Sequence, residues 1–470
     1  MRAPDGNGDR GTDREPRVRA GLRGVGAAAL VVVALAAASA PTRAAGTDLG
    51  AQLAGDGQCG RCHRVEGLGL TQEPRARSCA GCHRWIHASL DDATETARGR
   101  ATYPAWDRYT KHVGTFLDVP DLAASAARLK PAFVASYLRA PFKVRPGLAE
   151  SMFRTAFSLE QADALAAWLT TEGRRRMPGS SAARAAAAIV PSSSAADVRE
   201  GVALFERLQC GACHARGAQR PTAAPVRDAP DLAFVNARMA PEVIAAFIAD
   251  PAAFGAETKM PRYELSAAQA ARLRDYLTAS APSLPPLLAG VGVTVVQPSE
   301  APPRYADVRA RVLDAICVHC HMDAAKNNGE GGPGNTGGLG YRGAGLDLES
   351  WAGIRRGALD ARGRRVSILD RPRDGGEPLL LRRLRLRVAE HRAELAGPGA
   401  VVSGGSPGMP LGLPPLSERD LALVERWLAA GAPGPDGRRA VLSKGGVAPS
   451  SGRAGLSSRR RRWRNPISCG

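Results

Sequence analysis

The sequence predicts an all-α chain of small helical domains in tandem with long loops, and three observations predict it. Residues 110–170 match residues 220–278 when shifted by about 110 positions, a repeat long enough to be a folding unit. Ser158, Ser266 and Ser417 each open a stretch whose apolar residues recur at helical spacing. Ahead of Cys210, the residues Val198, Val202, Phe205 and Leu208 recur in the same period. A length of 470 residues suggests roughly three domains. With 5% aromatic residues, 53 Gly and 35 Pro, each core is small unless something else fills it.

The chain divides in order. Arg17, Arg19 and Arg23 precede an uncharged run, Gly24 to Thr42, with an apolar centre at Ala27–Ala37 and small-residue cleavage sites at Ala38-Ser39-Ala40 or Thr42-Arg43-Ala44. Residues 1–45 therefore read as a secretory signal, or as an uncleaved N-terminal anchor, and the mature chain is expected to be exported and periplasmic. Residues 46–172 form a first module, 173–194 an Arg/Ala/Ser-rich linker, 195–280 a second module, 281–304 a Pro-rich linker and 305–433 a third module. Residues 434–470 read as a disordered basic tail, with nine Arg or Lys against one Asp over 436–470. The formal charge of +19 thus does not point to nucleic acid, because much of the excess lies at the two ends. Association with an anionic membrane surface stays open.

Within the modules, Pro120-Asp121-Leu122 answers Pro230-Asp231-Leu232. Pro131, Phe133, Val134, Tyr137 and Leu138 answer Pro241, Val243, Ile244, Phe247 and Ile248, and Pro141 and Pro251 close these two short helices. Met152 answers Met260. Capping boxes Ser158-x-x-Gln161 and Ser266-x-x-Gln269 open the helices that follow, with Leu165, Trp168 and Leu169, or Leu273, Tyr276 and Leu277, facing inward. In the third module Met409-Pro410 is followed by Ser417-x-x-Asp420, a weaker box, and a helix that stops at Gly431 before Pro433. A helix is also expected ahead of Cys317, through Val308, Val312 and Ile316.

Eight of nine cysteines form four pairs with two residues between, and histidine follows each pair: Cys59/Cys62/His63, Cys79/Cys82/His83, Cys210/Cys213/His214 and Cys317/Cys320/His321. Zinc competes for the first two pairs, since sixteen residues separate Cys62 from Cys79, as in a four-cysteine ribbon. The pairs at 210 and 317 have no second pair beside them, and a closed zinc site has no use for the histidines. Covalent haem uses all three residues: two thioethers to the porphyrin and the histidine as proximal ligand to iron. Four haem c groups are therefore expected.

The second axial ligands are less uniform. Met260, in Lys259-Met260-Pro261, follows His214 by forty-six residues, and Met409 holds the same place in the third module. Thioether sulfur is a soft ligand that raises the iron potential. Residues 196–280, from the helix bearing the haem motif to the Met-Pro loop and last helix, resemble a class I cytochrome c domain. Residues 305–433 resemble a longer variant with a Gly-rich insertion around Gly331–Gly345. The first module departs from the family pattern, because two haem motifs share one Met152, which Phe153 follows instead of Pro. The other iron needs a ligand from residues 84–119, with His112 and then His87 as candidates. His319 reads as a bystander and His391 as a weaker alternative to Met409.

The expected function is single-electron transfer between redox protein partners in the periplasm or at the membrane, which the class I resemblance also implies. The competing expectation is a peroxidase-like haem oxidoreductase using a five-coordinate iron in the first module. The sequence assigns no role to Cys469.

Overall fold

The computed structural model describes residues 45–72, 78–102, 106–110, 113–176, 194–217, 229–255, 258–279, 303–322, 345–360, 362–372, 374–397, 400, 402 and 405–440. The chain falls into two units, Met1–Ala45 and Gly46–Gly470, and the description concerns the second. The apolar run before residue 45, most of both linkers, His112, most of the Gly-rich insertion and Cys469 lie outside the described residues; of the first linker, residues 173–176 continue the helix Leu159–Arg176, and Ser194 caps the helix that follows. Of the described residues, 58% are helical and 2% are strand, which makes the class all-α. No described helix is long and apolar enough to cross a membrane.

In the first segment α1 (Ala45–Asp56), α2 (Cys79–Leu90), α3 (Ala93–Thr102), α4 (Leu122–Arg128), α5 (Pro131–Arg139) and α6 (Leu159–Arg176) follow one another. Both α4 and α5 pack on α6, around a core of Leu53, Leu165, Trp168 and Leu169. Local chemistry sets the boundaries. Asp121 caps α4 through the Ala124 N–H at 3.0 Å, Pro131 begins α5, and Ser158 and Gln161 exchange reciprocal bonds of 2.9 and 3.1 Å at the start of α6.

The second segment repeats this plan with α7 (Ala195–Arg207), α8 (Pro241–Ala249) and α9 (Ala267–Ala279). Leu204, Ile244, Leu273 and Leu277 make its core, and Ser266 and Gln269 form the same reciprocal cap at 2.9 and 3.2 Å. Glycine permits the same helix crossing in both segments. At Gly50 an added Cβ would overlap Trp168 Cβ and lie 2.9 Å from the Ala164 carbonyl oxygen; at Gly201 it would overlap the Arg272 carbonyl and lie 2.8 Å from Tyr276 Cβ. Each glycine stands nine residues before the first cysteine of its motif.

The third segment begins with a helix that is α over Tyr305–Val308, π over Arg309–Cys317 and α again over Val318–Cys320. The expected helix before Cys317 is thus present with its middle widened, a local change often found at functional sites. A two-stranded antiparallel hairpin pairs β1 (Ala358–Leu359) with β2 (Arg365–Val366), Ala358 opposite Val366. Helices α10 (Leu379–Ala396) and α11 (Glu418–Ala429) complete the segment. Ser417 Oγ accepts the Asp420 N–H at 3.1 Å and donates to its carboxylate at 2.6 Å, so the third cap closes without the bond back to the backbone. Tyr305, Trp351 and Trp427 meet at ring distances of 5.1 to 6.4 Å in the core.

Residues 434–440, assigned from composition to the tail, fold back instead. The Gly434 N–H bonds Arg438 O at 2.8 Å, and Ala440 is buried in the third core. Their turn is local, so overall basicity did not reveal it.

The segments also bond to one another. The Lys130 N–H reaches Arg238 O at 2.8 Å, Asp231 N–H reaches Val144 O at 2.7 Å, Lys143 N–H reaches Glu394 O at 2.9 Å and Ser151 N–H reaches Gly412 O at 2.8 Å. Side chains follow, with Phe142 and Phe234 at 4.7 Å and a buried Arg154–Glu390 ion pair at 3.1 Å.

Candidate functional site

The first and third motifs are built alike. Gln58 (φ 52, ψ 39) and Gln209 (φ 55, ψ 36) turn the chain through the left-handed region, and a single 3-10 turn then carries Cys59–Arg61 or Cys210–Ala212. Non-glycine residues rarely adopt that conformation. It ends the preceding helix and lets the histidine N–H return to the first cysteine carbonyl, at 2.9 Å for His63 and 3.1 Å for His214. The fourth motif makes the same return, His321 N–H to Cys317 O at 2.9 Å, from a continuous helix. The second motif forms the first turns of α2, capped by Ser78 Oγ on the Gly81 N–H at 3.0 Å.

Three of the four histidines are oriented through Nδ1. His63 bonds Pro120 O at 2.9 Å, His214 bonds Pro230 O at 2.9 Å and His83 bonds Thr115 O at 2.7 Å. A carbonyl oxygen can only accept, so Nδ1 holds the proton and the Nε2 lone pair is left for a metal. Burial lowers the pKa of His63 and His214, the carbonyl bond opposing it in part, and burial alone pushes His321 down to about 4. Neutral imidazole is the ligating form.

The motifs at 59–63, 79–83 and 317–321 open on one cavity of about 980 Å³, near the top of the roughly 300–1,000 Å³ range of small-molecule sites. Met152 and Met409 line it, as do Val113, Gly114, Thr115 and Phe116 from the segment expected to supply an extra ligand. Burial pushes the Cys59 thiol up to about 11 and Cys317 and Cys320 up to about 12. A hydrogen bond joins Cys62 to Cys79, drawing Cys79 down and holding Cys62 high. None of the eight motif cysteines is disulfide-bonded to another. Among the described residues no group of three Cys, His, Asp or Glu side chains is arranged to hold a metal ion.

The two methionine loops are fastened to the same helix. Glu390 and Glu394 of α10 are 3% and 2% exposed, low enough that their partners decide the local energetics. Glu390 accepts Arg154 Nε at 3.1 Å and the Gly408 N–H at 3.0 and 3.1 Å. Glu394 accepts Ser151 Oγ at 3.0 Å and Arg387 Nη1 at 2.6 Å. Met152 therefore lies between two residues held by these carboxylates, and Met409 follows a third. Gly408 sits so close to the Arg387 backbone that a Cβ there would overlap it.

Arg128, Arg145 and Arg238 are among the five arginines that line the cavity, Arg238 reaching in from the second segment. Arg128 stacks 5.2 Å from the Phe247 ring centre, Arg238 lies 5.9 Å from that of Phe133, and Arg145 donates to Asp118 O at 2.8 Å. Burial and the neighbouring arginine charges push Arg128 down to about 10 and Arg238 to about 9. The buried Nε of Arg238 has no hydrogen-bond partner among the described residues. Buried cations of this kind need an anion. The propionates of a haem are a chemically suitable one, so the donor set fits the expected group.

The remaining candidates are placed less favourably. His87 is exposed on α2 and does not line the cavity. His391 leans on Glu394 at 3.4 Å, also away from the cavity. Met260 is half-buried outside this cavity, in the loop leading to Tyr263, whose hydroxyl is raised by burial and by the nearby Cys210 and Cys213. His319, expected to be a bystander, lines the cavity with its ring 5.7 Å from that of His83. Residues between the cysteines of such a motif carry no ligand signal in sequence, and only the third dimension brings these two together.

Residues 196–277 match the family described as "Cytochrome C oxidase, cbb3-type, subunit III". Residues 196–277 are thus similar to a cytochrome c-type domain, which implies covalently bound haem c in that domain and suggests haem-based electron transfer. Comparison with curated proteins and with solved structures gave no match.

Proposed function

We propose that the chain is an exported c-type cytochrome with four haems, passing single electrons between redox protein partners of the periplasm or membrane. The observation that carries this reading is the single cavity onto which three Cys-x-x-Cys-His motifs open, with two methionine loops on its wall. Covalent haem would supply the one-electron ferric/ferrous couple. The chain's own residues perform the rest. Cys59 and Cys62, Cys79 and Cys82, Cys210 and Cys213, and Cys317 and Cys320 would hold the groups in place. Pro120, Thr115 and Pro230 carbonyls fix His63, His83 and His214 in the ligating tautomer. Met152, Met260 and Met409 would be the thioether ligands for the first, third and fourth motifs, while Arg128, Arg145 and Arg238 would offset carboxylate charge. The apolar wall of the cavity limits solvent access to the three motifs that open on it.

Met260→Ala is expected to remove the methionine-ligated absorption signature of one haem in four and leave the others. An unchanged near-infrared spectrum and unchanged potentials would show that Met260 is not a ligand.

A further inference from the structure

We propose that His319 is the second axial ligand to the iron carried by the second motif, opposite His83. The proposal rests on the haem reading above. His83 is turned by its 2.7 Å bond to Thr115 O, which commits Nδ1 and leaves Nε2. The ring centres of His83 and His319 are 5.7 Å apart with planes at 75°. Two imidazoles on opposite sides of one metal, at about 2 Å per bond, place their ring centres on the order of 6 Å apart, and their planes are free to cross. Both rings line the cavity, and Phe116 sets its ring 5.5 Å from His83 beside them.

The peptide carrying His319 is brought there by its own motif. Cys320 and His319 line the same cavity as Cys62, Cys79 and His83, so the fourth motif faces the first two. His321 follows Cys320 as that motif's own ligand, and His319 is thereby left to a neighbour. Among the histidines expected to serve whichever first-module iron lacks Met152, His87 is exposed one turn along α2, and His112 lies outside the described residues.

The assignment completes a set of four pairs: His63 with Met152, His83 with His319, His214 with Met260 and His321 with Met409. The second haem then has two nitrogen ligands and the lowest potential expected of the four, since methionine raises it. The short peptide from Cys317 to Cys320 joins the second and fourth centres, being attachment site for one and ligand for the other.

The test uses the full haem-loaded chain. Near-infrared magnetic circular dichroism of the native protein is expected to show one bis-histidine haem. In His319→Met that signature is lost, one potential rises and the haem count is kept; His319→Ala binds one carbon monoxide per chain. His112→Ala and His87→Ala retain the native spectrum. Persistence of the bis-histidine signature in His319→Met, its loss in His112→Ala or His87→Ala, or its absence from a native chain with haem on Cys79 and Cys82 would overturn the assignment. Peptide mapping that finds no haem on Cys79 and Cys82 would overturn the haem reading itself.

Discussion

Glu390→Ala is expected to destabilise the haem-loaded chain by about 3–5 kcal/mol, the usual cost of removing one member of a buried ion pair. The carboxylate is 3% exposed and faces Arg154, itself 7% exposed, so the substitution leaves a buried guanidinium without this counter-charge. The loss spreads because the same carboxylate holds the Gly408 N–H. The Met152 and Met409 loops should therefore loosen together, seen as a lower denaturation midpoint and partial loss of methionine ligation at two haems. Glu390→Gln keeps an acceptor oxygen and should retain most of the ligation. A midpoint unchanged in Glu390→Ala would show that the two loops do not depend on α10.

The second large effect is expected at Gly201. Replacement by alanine puts a methyl group into the Arg272 carbonyl, backbone that has no rotamer to move away, and α7 must separate from α9. Overpacking of this kind costs typically 1–3 kcal/mol and, against backbone, about 3 kcal/mol or more. Gly50→Ala should do the same at the α1–α6 crossing, through Trp168. Urea denaturation of each variant checks this. Stability equal to that of the parent would mean that the helices do not cross at these glycines.

The parts that local chemistry dictates were legible in the sequence. Ser158, Ser266 and Ser417 start their helices as the pattern says, and Pro131 and Pro241 begin theirs, because caps and prolines act within one turn. Helix α1 was not legible. Its sequence, AGTDLGAQLAGD, is rich in Ala and Gly with few apolar residues, and tertiary packing of Leu53 and Gly50 on α6 makes it stable. The match of Gly50 to Gly201 was the available signal.

Helix α10 was hidden for the opposite reason. Arg387, Glu390 and Glu394 are charged residues that face inward, so a binary pattern places them on the wrong side. Their pairing with Arg154 and Ser151 spans well over two hundred residues of sequence and has no local sign. The four Cys-x-x-Cys-His motifs were readable as spacing, whereas the gathering of three of them around one cavity depends on contacts between the first and third segments. His319 shows the limit most clearly, since its role depends on a ring from a motif far away in the chain.

The most direct test of the central claim is a pyridine haemochrome assay on protein exported from a host with a cytochrome c maturation system, after organic extraction of loose haem. The account predicts four covalent haems per chain, one on each Cys-x-x-Cys-His motif. A single haem, confined to Cys210 and Cys213, would contradict it.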